Sequence, residues 1–162
     1  MSSVEVAVSE PNARVQPVPD LRAFLTGAWR IARTVKDALG GQDGGFDGMA
    51  IFAPLPDGGL LLTESGTMRL GGYTGPAEQT YHYRFPDGPR RAEVSRHDGT
   101  PFHDLDLTGG TAEAVHHCGA DIYQGTFRVL GPDEWVVEWA VSGPRKDYQM
   151  VTRHYRISAG GE

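Results

Sequence analysis

The sequence predicts an all-β fold, about ten short antiparallel strands in a meander closed into a barrel, with one short N-terminal helix. Three observations carry this. Apolar residues alternate with period two from Gly27 onward, in segments of six to twelve residues. Turn clusters separate the segments: GGQDGG, PDGG, GGYTGP, PDGP, HDGTP, TGG and GPDE. No helical stretch long enough for a parallel crossover lies between them. The 22 Gly and 11 Pro among 162 residues fit a chain with many tight turns. Closure into a barrel removes the sheet edges, and a two-sheet sandwich is the competing architecture.

Residues 1–18 read as a disordered N-terminal tail, 19–158 as a single β-barrel domain, and 159–162 as a disordered C-terminal tail. Pro19 and Asp20 make a helix start, Leu21, Phe24 and Leu25 fall at helical spacing, and Gly27 supplies the stop. Strands are expected near 28–36, 45–53, 59–70, 77–86, 90–97, 101–107, 112–117, 120–130, 133–142 and 147–157. Because side chains alternate across a strand, the more apolar face is assigned to the interior. This puts Trp29, Ile31, Arg33 and Val35 inside on the first strand, and Phe46, Gly48, Ala50 and Phe52 on the second. The third contributes Leu60, Leu62, Glu64 and Met68, and the fourth Tyr81, Tyr83 and Phe85. His103, Leu105 and Leu107 follow on the sixth, Asp121, Tyr123, Phe127 and Val129 on the eighth, and Trp135, Val137, Trp139 and Val141 on the ninth. On the last strand Val151, Arg153, Tyr155 and Ile157 form the better apolar row, although Tyr148 and Met150 allow the opposite phase near its start.

The totals exclude several functions. A net charge of −6 would repel a phosphate backbone, so nucleic acid is not an expected partner. No segment approaches the roughly 18 apolar residues that span a bilayer. Cys118 is the single cysteine, which rules out an intrachain disulfide, and the opening MSSVEVAVSEPNARVQPVPD lacks the pattern of a secretory signal. A cytoplasmic protein is expected, and a homodimer is compatible with the sequence.

The start FLTGAWRIAR, the central PFHDLDL, the block HHCGADIYQGTF and the stretch from Trp135 through GPRKDYQMVTRHY together resemble an uncharacterised bacterial family of lipocalin-like, calycin-type domains of unknown function. The resemblance spans about Leu21 to Ile157 and implies a lipocalin-like barrel without assigning an activity. It also implies that an arginine of the last strand, Arg153 or Arg156, packs across Trp29 at the closed end.

The predicted interior is aromatic and carries Arg33, Glu64, Tyr81, Tyr83, His103, Asp121, Tyr123 and Arg153. Buried charges must meet partners or a ligand, and so many polar groups among apolar walls indicate a small-molecule pocket. Trp29, Arg33, Tyr81, Tyr83, His116, Trp139, Arg145, Lys146, Tyr148 and Arg153 are the candidate binding residues. His103 and Glu64, with Tyr123 and Asp121, are candidates for cofactor-free acid–base catalysis of the isomerase, cyclase or lyase type. A non-catalytic carrier or sensor is the alternative. A haem or metal barrel ranks below both, because His103, His116, His117 and His154 offer histidines but no C-x-x-C or H-x-x-x-H spacing selects a site; no cofactor and no metal are assigned. Only one of the adjacent His116 and His117 can face inward, and Cys118 reads as a small buried thiol. Neither a serine elbow nor a phosphate loop nor a dinucleotide fingerprint occurs.

Overall fold

The computed structural model describes residues 14–158. One short helix, α1 (Leu21–Leu25), leads into ten strands. They are β1 (Gly27–Asp37), β2 (Asp43–Pro54), β3 (Leu60–Leu70), β4 (Tyr73–Arg84), β5 (Arg91–Arg96), β6 (Pro101–Asp106), β7 (Thr111–Cys118), β8 (Asp121–Gly131), β9 (Glu134–Gly143) and β10 (Lys146–Arg156). Asp20 caps α1, its Oδ1 accepting from Ala23 N at 2.8 Å. The tail expected over 1–18 lies outside the described residues up to 13. Its last residues are held on the barrel: Gln16 N donates to Val129 O at 2.9 Å, Val18 N donates to Leu107 O at 3.0 Å, and Val18 is buried. The expected tail over 159–162 lies outside the described residues.

All ten strands form a single antiparallel sheet in the order β6-β5-β4-β3-β2-β1-β10-β9-β8-β7. The meander bends round so that β1 pairs with β10, with Trp29 opposite Arg156, Ile31 opposite His154 and Arg33 opposite Thr152. The two ends of the sheet, β6 and β7, meet without a ladder between them, so the barrel is nearly closed. Between β2 and β3 the glycines Gly48 and Gly66 face each other, and a Cβ at either would run into the backbone of the opposite strand. This close approach needs glycine on both strands.

The inward faces follow the expected alternation in β1, β2, β3, β4, β8 and β9, and Trp29, Ile31, Phe52, Leu60, Phe127, Trp135 and Trp139 share one core. β10 runs in the opposite phase to the expected one. Tyr148, Met150, Thr152, His154 and Arg156 belong to the inner row, while Val151 packs outside against Val136 and Leu130. Arg153, opposite Val136, is therefore on the outer face, 3.7 Å from Glu134. An outer apolar cluster and a polar interior row together reversed the hydrophobic signal. Trp29 closes the narrow end. Arg156 lies over its indole at 4.2 Å, Trp29 Nε1 donates to Leu25 O at 2.9 Å, and Trp135 meets it edge-on. No helix among the described residues is long and apolar enough to cross a membrane.

Candidate functional site

Above this plug the interior divides into two spaces. The larger, about 530 Å³, opens at the end of the barrel away from α1 and is lined by residues of β1–β6 and β8–β10 together with the strand ends. Its volume falls within the range of small-molecule sites. The smaller, about 70 Å³, lies deeper among Tyr83, His103, Phe127, Trp135 and His154. Arg33, Glu64, Tyr81, Phe102 and Trp139 border both and so form the partition.

The polar half of the partition is an ion pair. Arg33 Nη2 donates to both carboxylate oxygens of Glu64, at 3.0 and 2.9 Å, and Arg33 Nε donates to Thr152 Oγ1 at 2.7 Å. Gln79 Nε2 adds a bond to Glu64 Oε1 at 3.1 Å. Glu64 is 6% exposed, so the bidentate pairing offsets the cost of its desolvation. Strand register explains the assembly, because Glu64 and Gln79 are cross-strand neighbours on β3 and β4, and Arg33 and Thr152 on β1 and β10.

The apolar half is a layer of rings. Phe102 stacks on Trp139, 5.0 Å between centroids and 17° between planes, and on Tyr81 at 6.2 Å and 22°. Trp139 lies over Gly125, its neighbour on β8, where a Cβ would come within 2.8 Å of the indole. A side chain there would lift the ring out of the layer. The register irregularity between Val94 and Ser95 lets consecutive residues Phe102 and His103 both reach interior rings. His103 packs against Trp139 and Phe127, and its Nδ1 donates to Asp104 O at 2.9 Å. Burial lowers its pKa, with the Asp104 backbone bond opposing.

Deeper still, His154 lies flat on Trp135, 3.7 Å between centroids. It is 3% exposed, and burial, aided by the Arg33 charge, pushes its pKa down to about 3. Its Nδ1 and the Trp135 Nε1 are buried without a hydrogen-bond partner among the described residues. Tyr83, edge-on to Phe52, has its pKa raised by burial and by Glu64. Burial and Glu64 likewise raise that of Tyr81.

At the mouth, Lys146 Nζ donates to Tyr123 Oη and pairs with Asp121, both at 3.2 Å. The hydrogen bond to Tyr123 heads the causes that raise the Lys146 pKa. Tyr148 lines the cavity beside Tyr123, its own pKa raised by partial burial and by that neighbour. Arg145 is exposed in the β9–β10 turn and lines neither space. His116 is the inward histidine of its pair, with its ring 5.2 Å from Phe102 and 5.9 Å from Tyr123, bridging the gap between β6 and β7. Burial lowers its pKa, and the Arg96 charge adds to the effect. His117 and Cys118 are exposed, which corrects the expectation of a buried thiol. Among the described residues no three of His, Cys, Asp and Glu converge as metal ligands would.

Of the candidates, the structure brings Arg33, Glu64, Tyr81, Tyr123, Trp139 and Tyr148 to the larger cavity, and Tyr83 and His103 to the smaller. Trp29 belongs to the plug, Arg153 to the outer face, and Asp121, Lys146 and His116 support the wall from behind or above. Sequence reasoning missed Phe102, Gln79, Thr152 and Arg96, and it weighed His154 only as a haem or metal histidine rather than as part of the inner row of β10. Arg96 has its guanidinium 4.6 Å above the Phe102 ring and 5.8 Å from that of Tyr123, and it lines the larger cavity.

Solved structures share this architecture, two of them over most of this chain. An S-type phycobiliprotein lyase, CPES, from Guillardia theta superposes with a TM-score of 0.62 at 9% identity, over 89% of this chain and 94% of that one. A DUF3598-family protein of unknown function from Nostoc punctiforme superposes with a TM-score of 0.60 at 11% identity, over 87% of this chain and 51% of that one, so this chain spans about half its length. At such identities the likeness concerns the fold alone. No curated protein matches the sequence. A family model does match, over residues 25–156, which takes in all ten strands, and the chain thus belongs to the family of unknown function DUF6314.

Proposed function

We propose that this protein binds a small, partly apolar molecule in the larger cavity and holds it as a carrier or sensor would. The observation that carries the reading is the cavity of about 530 Å³ with a ring layer for its floor and phenols of Tyr81, Tyr123 and Tyr148 along its wall. A barrel of this size can fill itself with aliphatic side chains. This one keeps open space beside aromatic and hydrogen-bonding groups, the mixture that binding sites use.

The binding reading stands ahead of acid–base catalysis on the partners of Glu64. Both of its oxygens already accept from Arg33, and Oε1 also from Gln79, so the carboxylate is engaged by the wall of the cavity rather than offered to a ligand. His103 borders only the small chamber.

The test is titration with the neutral apolar dye Nile red, together with native mass spectrometry of the purified protein. One dye per chain is expected in the wild type. Ala77→Trp, which places an indole in the larger cavity, should abolish binding while the circular dichroism spectrum stays that of the parent. Undiminished dye binding in that variant, or none in the wild type, overturns the reading.

A further inference from the structure

Among the described residues, every cation facing this cavity except one is matched to a carboxylate. Arg33 is paired with Glu64, and Arg69 at the rim with Asp47 at 2.8 Å. Lys146, beside the mouth, is paired with Asp121. Arg96 has no carboxylate within 4.0 Å among the described residues. Of the acids that border the space, Glu64 is taken by Arg33, and Asp37 Oδ1 accepts from Gly40 N in its own turn. Glu78 is exposed on the outer phase of β4.

The Arg96 charge is also held in place. Its guanidinium rests on the face of Phe102, the ring that forms the centre of the floor, and Tyr123 flanks it. A guanidinium stacked on a ring keeps its N–H edge free for a planar acceptor, the geometry of bidentate carboxylate recognition. Its field reaches the neighbouring groups, lowering the pKa of His116 and opposing the rise at Tyr81.

We propose that the ligand is a planar apolar molecule ending in an anionic group, a carboxylate or its sulfonate or phosphate equivalent, with Arg96 as the anion anchor. The planar body lies along the layer of Tyr81, Phe102 and Trp139, and the anionic end meets the guanidinium edge beside Tyr123. This rests on the binding reading above and adds the charge and shape of the ligand to it.

The experiment compares naphthoate with naphthamide, two probes of nearly the same size that differ in charge, by isothermal titration calorimetry at neutral pH. Wild type should bind naphthoate at least about tenfold more tightly than naphthamide. Arg96→Gln should bring the two affinities together by weakening naphthoate alone, and Arg96→Lys should restore part of the preference. Arg145→Gln, the exposed cation of the β9–β10 turn, should retain all of it. Equal affinities in the wild type, or a charge preference that survives in folded Arg96→Gln, overturn the anion anchor while leaving the binding reading in place. Failure of both naphthyl probes and of Nile red overturns both.

Discussion

Arg156 lies across Trp29 at 4.2 Å, and the same guanidinium donates to the carbonyls of Phe24 at 3.0 Å and Pro132 at 2.9 Å and to Asp133 at 2.9 Å. One side chain thus ties together the end of α1, the β8–β9 turn and the buried tryptophan of β1. Arg156→Ala should destabilise the fold by about 2–4 kcal/mol, the sum of a cation–π contact and several charge-assisted bonds. Arg156→Lys, which keeps the charge and loses the fork, should recover less than half. Urea unfolding followed by tryptophan fluorescence measures both.

The ion pair in the partition makes a different prediction. Arg33→Met leaves Glu64 buried and unmatched and should cost about 3–5 kcal/mol, whereas Arg33→Met with Glu64→Met should lie within about 1 kcal/mol of the parent. A double-mutant cycle in chemical unfolding separates these. A double variant as unstable as the single one would mean that the pair is not held together by mutual neutralisation.

Gly125 tests the ring layer. In Gly125→Ala the new methyl would meet the Trp139 indole at 2.8 Å, and the ring has to shift from its stack on Phe102. A loss of about 1–3 kcal/mol is expected from overpacking. Nile red affinity should fall with it, because the floor of the cavity is displaced. Unchanged stability and dye binding would show that the layer tolerates the shift.

His154 predicts an acid-sensitive fold. Its pKa in the folded protein is about 3 against an ordinary value near 6.5, so below 6.5 the unfolded chain binds the proton that the folded one refuses. Stability therefore falls as pH drops from about 6.5 toward 3, at up to about 1.4 kcal/mol per pH unit from this group. His103 and His116, also lowered, act in the same direction. His154→Phe keeps a ring on Trp135 and should flatten the profile between pH 6.5 and 4.5, a window chosen to lie above the range of ordinary carboxylates. Thermal unfolding across that range would show it, and an unchanged slope would mean that His154 takes up its proton in the folded state.

How much of this was legible follows from what each strand buries. In β1 the residues Trp29, Ile31 and Arg33 stand against Arg30 and Thr34, and in β9 Trp135, Val137 and Trp139 alternate, so the inner face declares itself. In β10 the same rule selects Val151 and Tyr155, which have outer partners in Val136 and Arg30, and misses Thr152 and His154. Equating apolar with inward fails where the interior itself is polar. Arg96 follows Ala92 and Val94 in alternation, so its inward position was within reach of the pattern. Its lack of a carboxylate was not, because that depends on where Glu64 and Asp121 find their partners. Phe102 was hidden by the register shift beside it, which no single-sequence pattern announces.

The seam between β6 and β7 is sealed by another part of the chain. The ladder stops there, and the segment before α1 crosses it, with Gln16 N bonded to Val129 O and Val18 N to Leu107 O. A Cβ at Gly110 would meet Gln16 O at 2.9 Å, so this strap and the β6–β7 turn lie in contact. Further along the same gap the His116 ring reaches Phe102, and the barrel thus closes with backbone on one stretch of its seam and with side chains on the other.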